Sequence, residues 1–321
     1  MPLAVGPAMS ASGGLTEGER ESEVLIARLI ADHTALSASL DAARVELAAL
    51  GLAADYANLP GGAIQLQCDH ADSQRWAEFR AVLESHFSPC DMLIADHIPL
   101  LPGVFVSDMD STMIAAECID ELADFAGIKP QIAAITERAM QGELDFASAL
   151  HERVVLLAGL DEGAIRQCLA ERIAPMPGAR VLVETLKARG CKTVLVTGGF
   201  HQFADPVAEQ LGFERVVANR LEIAGGKLTG GLIGGIVDSE VKRAVLIEES
   251  ERAGVGRANG RSSLAIGDGA NDIPMIEAAT YGIAFHAKPK ARAAAHGWID
   301  IGDLTSVLLL LGIPRDEWVW E

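Results

Sequence analysis

Asp108 and Asp110 stand two residues apart, immediately after the uncharged run Val104-Phe105-Val106-Ser107. A short run rich in β-branched and aromatic side chains reads as a strand buried on both faces of a parallel sheet. Open α/β sheets bind ligands beyond the carboxyl ends of their strands, so carboxylates leaving such an end are placed for chemistry rather than solubility. Side chains two positions apart in extended chain share a face, and Asp108 and Asp110 therefore converge while Met109 points away. Two converging carboxylates call for a cation. Magnesium (Mg2+) suits them, because it takes oxygen ligands and leaves room in its shell for water and substrate phosphate. Taken alone, Asp-x-Asp followed by Ser111 and Thr112 reads at least as readily as a turn with a capping hydroxyl.

The elements downstream decide between these readings. The strand-like run 191–196 ends on Thr197-Gly198-Gly199, a hydroxyl followed by two residues whose backbone N–H groups can approach a phosphate with no Cβ in the way. A second run, 263–266, ends on Gly267-Asp268-Gly269-Ala270-Asn271-Asp272, and Lys242 lies between the two in a polar, helix-prone segment. Carboxylate pair, hydroxyl, lysine and second acidic cluster thus follow one another along the chain.

This set resembles the haloacid dehalogenase superfamily of aspartyl-phosphate phosphatases, and its finer text is similar to the phosphoserine phosphatase branch. SDMDSTMI, ECIDELA, RAMQGELDF, HERVVLL, VTGGF, ANRLEI, GKLTGG, IGDGANDIPM and AFHAKP carry the likeness over about residues 101 to 300. The resemblance implies a Rossmann-like parallel α/β sheet, with a helical cap inserted at about 118–174. It implies that Asp108 attacks phosphorus and that Asp110 first donates and then accepts the proton. Mg2+ would be held by Asp108, the backbone carbonyl of Asp110 and Asp268, and the phosphate by Thr197, Gly198, Lys242 and Asn271, with Asp272 orienting this shell. Glu117 matches the glutamate that meets the substrate's amino group, and Arg153 the arginine whose planar fork suits a carboxylate. Met140 and Phe146 match apolar pocket residues. Thr197 departs from the serine more usual in this family but keeps the hydroxyl.

The implied reaction is hydrolysis of O-phosphoserine to serine and phosphate, the last step of serine biosynthesis. A relative acting on another small phosphomonoester is the nearest alternative, and the Glu117 and Arg153 pair argues against it. A non-catalytic amino-acid sensor is the alternative of another class, and retention of Asp108, Asp110, Lys242 and Asp268 argues against that.

Ahead of this region, residues 24–30 read as a strand, 36–50 as a helix, 62–68 as a half-buried strand, 73–86 as a helix and 91–95 as a strand. With a weak strand at 52–58 the order is β-α-β-β-α-β, a ferredoxin-like pattern similar to the ACT-like modules that such phosphatases often carry. A structural or homodimer-forming role is read for it as readily as sensing. The expected organisation is a flexible tail over 1–22, an α+β module over 23–97 and the phosphatase region over 98–321. A linker over 97–103 separates the two folded parts, and one helix is expected over 113–127, with Glu117, Asp120, Glu121 and Asp124 along one side.

Composition excludes several classes. A formal charge of −19 over 321 residues disfavours nucleic-acid binding and means that a site for phosphate must concentrate positive charge locally. Five scattered cysteines without a C-x-x-C pair point to a reducing cytoplasm rather than to zinc or disulfides. No apolar run approaches the roughly 20 residues of a membrane helix, and the start lacks the basic and apolar blocks of a secretion signal. The glycines of 225–235 lack the spacing of a nucleotide loop, and Asp272 interrupts a dinucleotide motif. His286 reads as a structural histidine.

Overall fold

The computed structural model describes residues 24–31, 36–69 and 75–320, so the tail lies outside the described residues. The first unit is β1 (Val24–Ile30), α1 (Leu36–Ala49), β2 (Asp55–Asn58), β3 (Ile64–Asp69), α2 (Trp76–Phe87) and β4 (Asp91–Ala95). Its strands lie antiparallel in the order β2-β3-β1-β4, the arrangement the β-α-β-β-α-β pattern predicts. Leu25, Ala27 and Leu29 of β1 meet Leu40, Ala43 and Leu47 of α1 and Phe79 and Leu83 of α2 on one face. On the other face Arg28 is buried and donates to Gln65 Oε1 and to the carbonyl of Leu310.

The sheet of the second unit begins with β5 (Pro102–Ser107), all six residues of which are buried. After an excursion it continues with α7 (Ala179–Ala188), β6 (Lys192–Phe200), α8 (His201–Leu211) and β7 (Arg215–Asn219). The hairpin of β8 (Leu221–Ala224) and β9 (Lys227–Leu232) turns on Gly225 and Gly226, whose positive φ values of 58° and 77° are what a two-residue hairpin turn requires. There follow α9 (Ser239–Arg252), β10 (Ser262–Gly267), α10 (Ile273–Ala278), β11 (Tyr281–Phe285), α11 (Pro289–Ala294), β12 (Gly297–Ile299) and α12 (Ser306–Leu310). β5 lies between β10 and β6, and every pairing from β12 to β7 is parallel.

The two units share one sheet. β12 pairs antiparallel with β4, giving ten strands among the described residues in the order β2-β3-β1-β4-β12-β11-β10-β5-β6-β7. The chain segment between β4 and β5 therefore joins two strands of one sheet that β12, β11 and β10 separate.

The excursion after β5 holds α3 (Cys118–Phe125), α4 (Lys129–Met140), α5 (Phe146–Val155) and α6 (Gly163–Arg172). The helix expected over 113–127 is shorter and starts at Cys118. Residues 109–114 instead fold back on themselves, with the N–H groups of Thr112, Met113 and Ile114 all directed at the carbonyl of Met109, 2.8–3.2 Å away. Ala115 N–H then bonds to Ala174 O and Met176 N–H to Met113 O, tying the outgoing chain to the returning one. Glu117 consequently stands just ahead of α3, with no side-chain capping bond, while Asp120, Glu121 and Asp124 lie within the helix. Among the described residues no helix is long and apolar enough to cross a membrane.

Candidate active site

Asp108 is the first residue beyond β5, and its N–H donates to Ile266 O of β10 at 3.0 Å, which fixes the turn between adjacent strands. Lys242 projects from α9, whose start is capped by Asp238 accepting the N–H of Val241. A fully buried ammonium must find acceptors. Lys242 Nζ lies 2.6 Å from Asp108 Oδ1 and 2.7 Å from Asp272 Oδ1. The other oxygen of Asp272 accepts the N–H groups of Asp268 and Gly269 at 3.2 and 3.0 Å. Both Asp272 oxygens are thus engaged, and a Cβ on Gly267 would run into its side chain.

One ammonium serves more than one buried carboxylate, and the titration behaviour follows. Burial, then repulsion from Asp272, lifts Asp108 well above the usual carboxylate range, and Lys242 only partly offsets this. Burial and then Glu117 push Asp110 up to about 7, while burial and then Asp272 push Asp268 up to about 6. For Lys242 burial opposes the charged form, but Asp108 and Asp272 outweigh it and hold the ammonium above its ordinary value. Negative charge is in surplus. Asp108, Asp268 and Asp272 each bring an oxygen within 4.8 Å of the others, and among the described residues the buried Oδ1 of Asp110 has no hydrogen-bond partner. An all-oxygen donor set with an unsatisfied oxygen and surplus charge fits a divalent cation.

Opposite these carboxylates, the N–H of Gly199 donates to Thr197 Oγ1 at 2.9 Å. Asn219 braces the same loop, donating to Gly198 O at 2.8 Å and accepting from Val237 N–H at 2.9 Å. A cavity of about 310 Å³ lies between this floor and the cap. Asp108, Asp110, Glu117, Phe146, Arg153, Thr197, Gly198, Asp268 and Asn271 line it. Lys242 and Asp272 lie beneath, outside its lining. Glu117 accepts from Ser111 Oγ at 3.0 Å, and Arg153 Nε donates to Ala149 O at 3.2 Å. A Cβ on Gly198 would stand 2.9 Å from Phe146 Cζ, so this glycine lets the cap come down on the loop. Met140 ends α4, and its side chain lies outside the described ones.

The lining includes residues that the sequence reading does not single out, among them Thr136 and Lys288. Lys288 and Asn219 lie within the quoted AFHAKP and ANRLEI, where the signal was present without an assigned role. A larger cavity of about 990 Å³ lies between α2 and α11. Its Arg80 and Arg292 bind Glu84, Asp300 and the carbonyls of residues 292, 293 and 295, so these charges hold the two units together.

Two models of the haloacid dehalogenase-like hydrolases match the chain, over residues 105–277 and 256–307. A phosphoserine phosphatase of Streptomyces coelicolor is 47% identical over 212 residues, 66% of this chain and 51% of that protein, so the chain spans about half the length of that relative. The structure of a HAD family hydrolase from Salmonella enterica serovar Typhi superposes with a TM-score of 0.77 at 26% identity, covering 90% of this chain and 98% of that one. A phospho-aspartyl intermediate analogue of phosphoserine phosphatase superposes with a TM-score of 0.59 at 36% identity, covering 65% of this chain and 98% of that one. The first of the two family models takes in the end of β5, the cap, Lys242 and the Asp268–Asp272 turn, more than half of the chain. The chain belongs to the haloacid dehalogenase-like hydrolase family.

Proposed function

We propose that this chain is a Mg2+-dependent phosphatase that hydrolyses O-phosphoserine to serine and inorganic phosphate through an aspartyl phosphate on Asp108. The observation that carries the reading is the meeting of Glu117 and Arg153 with Asp108 and Asp110 in one small cavity. An amino-acid headgroup needs an anion for its ammonium and a cation for its carboxylate, and the two are supplied beside a nucleophile. The Streptomyces coelicolor and intermediate-analogue relatives support the same substrate.

Asp108 attacks phosphorus in line, forming an oxygen–phosphorus bond as the bond to the serine oxygen breaks. Asp110 gives that oxygen its proton, then takes one from the water that releases phosphate from Asp108. Its pKa of about 7 suits both directions near neutrality. Lys242 fixes the attacking carboxylate, while Thr197 and the Gly198-Gly199 backbone meet the phosphoryl oxygens. Asp108, Asp268 and the backbone carbonyl of Asp110 would hold Mg2+, which supplies positive charge to those oxygens when bound. The helical cap excludes water and carries Arg153 and Phe146 to the substrate.

The tail, the ACT-like module over 23–97 and the phosphatase region over 98–321 are the proposed organisation, supported by the antiparallel strand order of the first unit. The proposed compartment is the cytoplasm, supported by five unpaired, buried cysteines. Phosphate release from L-phosphoserine, phosphothreonine and an aryl phosphate, with and without Mg2+, tests the whole. Mg2+-dependent turnover restricted to phosphoserine and lost in Asp108→Asn is expected. Comparable turnover of the aryl phosphate defeats the substrate assignment, and absence of turnover on all three defeats the catalytic one.

A further inference from the structure

Lys288 belongs to a motif that the proposed mechanism leaves unused, yet it lines the same cavity as Asp108, Asp110 and Asp268. Its direction is set locally. Pro289 follows it and disfavours the helical conformation in the preceding residue, and Lys288 is extended at φ −62° and ψ 149°. His286, two residues earlier, takes a positive φ of 42°, donates its N–H to Ile299 O at 2.9 Å and sets its ring Nε2 3.0 Å from Gly302 O. The N–H of Lys288 itself donates to Asp268 O at 3.0 Å. The backbone is therefore pinned to the acidic turn while the side chain is largely exposed.

The charges around the cavity make that side chain matter. Its described lining carries the carboxylates of Asp108, Asp110, Glu117 and Asp268 against two cations, Arg153 and Lys288. Lys242 is buried and already bonded to two carboxylates, so its charge is largely matched from within the chain. Arg153 sits on the cap, where the proposed reading uses it for the substrate carboxylate. Lys288 is on the sheet side, its side chain 72% exposed and its ammonium 3.9 Å from Asp268 Oδ2, the outer limit of an ion pair. A loosely paired, exposed ammonium beside the acidic turn is available to an arriving dianion. The chain's charge of −19 repels that same dianion at a distance.

We propose that Lys288 captures the phosphate dianion at the mouth of the cavity and contributes to binding rather than to the phosphoryl-transfer step. The role deepens the phosphatase reading and rests on it for the substrate, although a phosphate dianion is common to every phosphomonoester.

Steady-state kinetics of Lys288→Met and Lys288→Arg test it, with L-phosphoserine and an aryl phosphate at several salt concentrations. Removing a steering charge lowers kcat/KM by about 10-fold, with kcat held within about twofold, and flattens the salt dependence; arginine restores most of the loss. A kcat/KM unchanged in Lys288→Met overturns the proposal, as does a fall in kcat that matches the fall in kcat/KM. Calorimetric binding of inorganic phosphate with Mg2+ present gives an arm that needs no turnover. The methionine variant is expected to bind at least about fivefold more weakly, in line with the loss of one attracting charge, and equal affinity overturns the proposal. If neither ester is turned over but phosphate binding weakens in the variant, the phosphatase reading falls and the capture role stands.

Discussion

Lys242 is a cation almost without contact with water, held by Asp108 and Asp272 at 2.6 and 2.7 Å. Taking three charged groups out of water is costly, and their mutual attraction compensates only while all three are present. Burial, and then repulsion from Asp272, keeps Asp108 raised in pKa even with a lysine touching it. Replacing Lys242 with methionine leaves two buried carboxylates facing each other, and the expected cost is about 3–5 kcal/mol of folding free energy. In an Asp108→Asn background the same replacement should cost clearly less, since one of the opposed charges is already gone. Urea unfolding of the four proteins in the presence of a chelator measures the coupling. Equal costs in both backgrounds would show that Lys242 and Asp108 are not energetically linked in the folded chain.

At the scale of elements, the loop of Thr197-Gly198-Gly199 and the start of α5 meet across the cavity. Gly198 has no side chain where one would stand 2.9 Å from Phe146 Cζ, and Phe146 is the first residue of α5, the helix that also carries Arg153. An alanine there must displace the Phe146 ring, which packs at the start of the helix carrying Arg153. Gly198→Ala is therefore expected to raise KM for phosphoserine by about 10-fold, the scale of one lost charge-assisted contact at roughly 1.4 kcal/mol. Hydrolysis of a small aryl phosphate, which has no carboxylate for Arg153, should change much less, and equal losses on both substrates would rule out a cap effect.

The same elements mark what the sequence could and could not tell. Strands stopping just before Asp108 and Asp268 were legible because a buried parallel strand is an unbroken apolar run that stops abruptly at its functional end, whereas β6 runs on through Thr197 to Phe200, past the end of its apolar run. The start of α3 was not, because residues 113–117 have helical composition and are drawn into a turn by contacts with residues 174–176, far along the chain. Lys288 was legible as text but not as chemistry. Its place in the cavity depends on the pairing of its own N–H with Asp268 across the fold.

At the scale of the whole molecule, the first unit and the catalytic sheet are joined by backbone hydrogen bonds between β4 and β12. Asp91, at the start of β4, is fully buried, and its Oδ1 accepts the N–H groups of Asp300, Ile301 and Gly302 at 2.9, 2.9 and 3.2 Å. One carboxylate from the first unit thus organises the turn after β12 in the second. Arg80 of α2 adds to the join by lying over the Trp298 ring, 4.7 Å from its centroid. A sheet continuous across both units predicts that they unfold in a single calorimetric transition. Asp91→Ala orphans three backbone donors and is expected to cost about 3 kcal/mol or more, since each unsatisfied buried group costs roughly 1–3 kcal/mol. With that join weakened, the transition should broaden or split into two. Asp91→Asn keeps an acceptor at the Oδ1 position and should lose less. A wild-type chain that already melts in two steps would mean that the β4–β12 pairing contributes little, and that the two units are folded independently despite sharing a sheet.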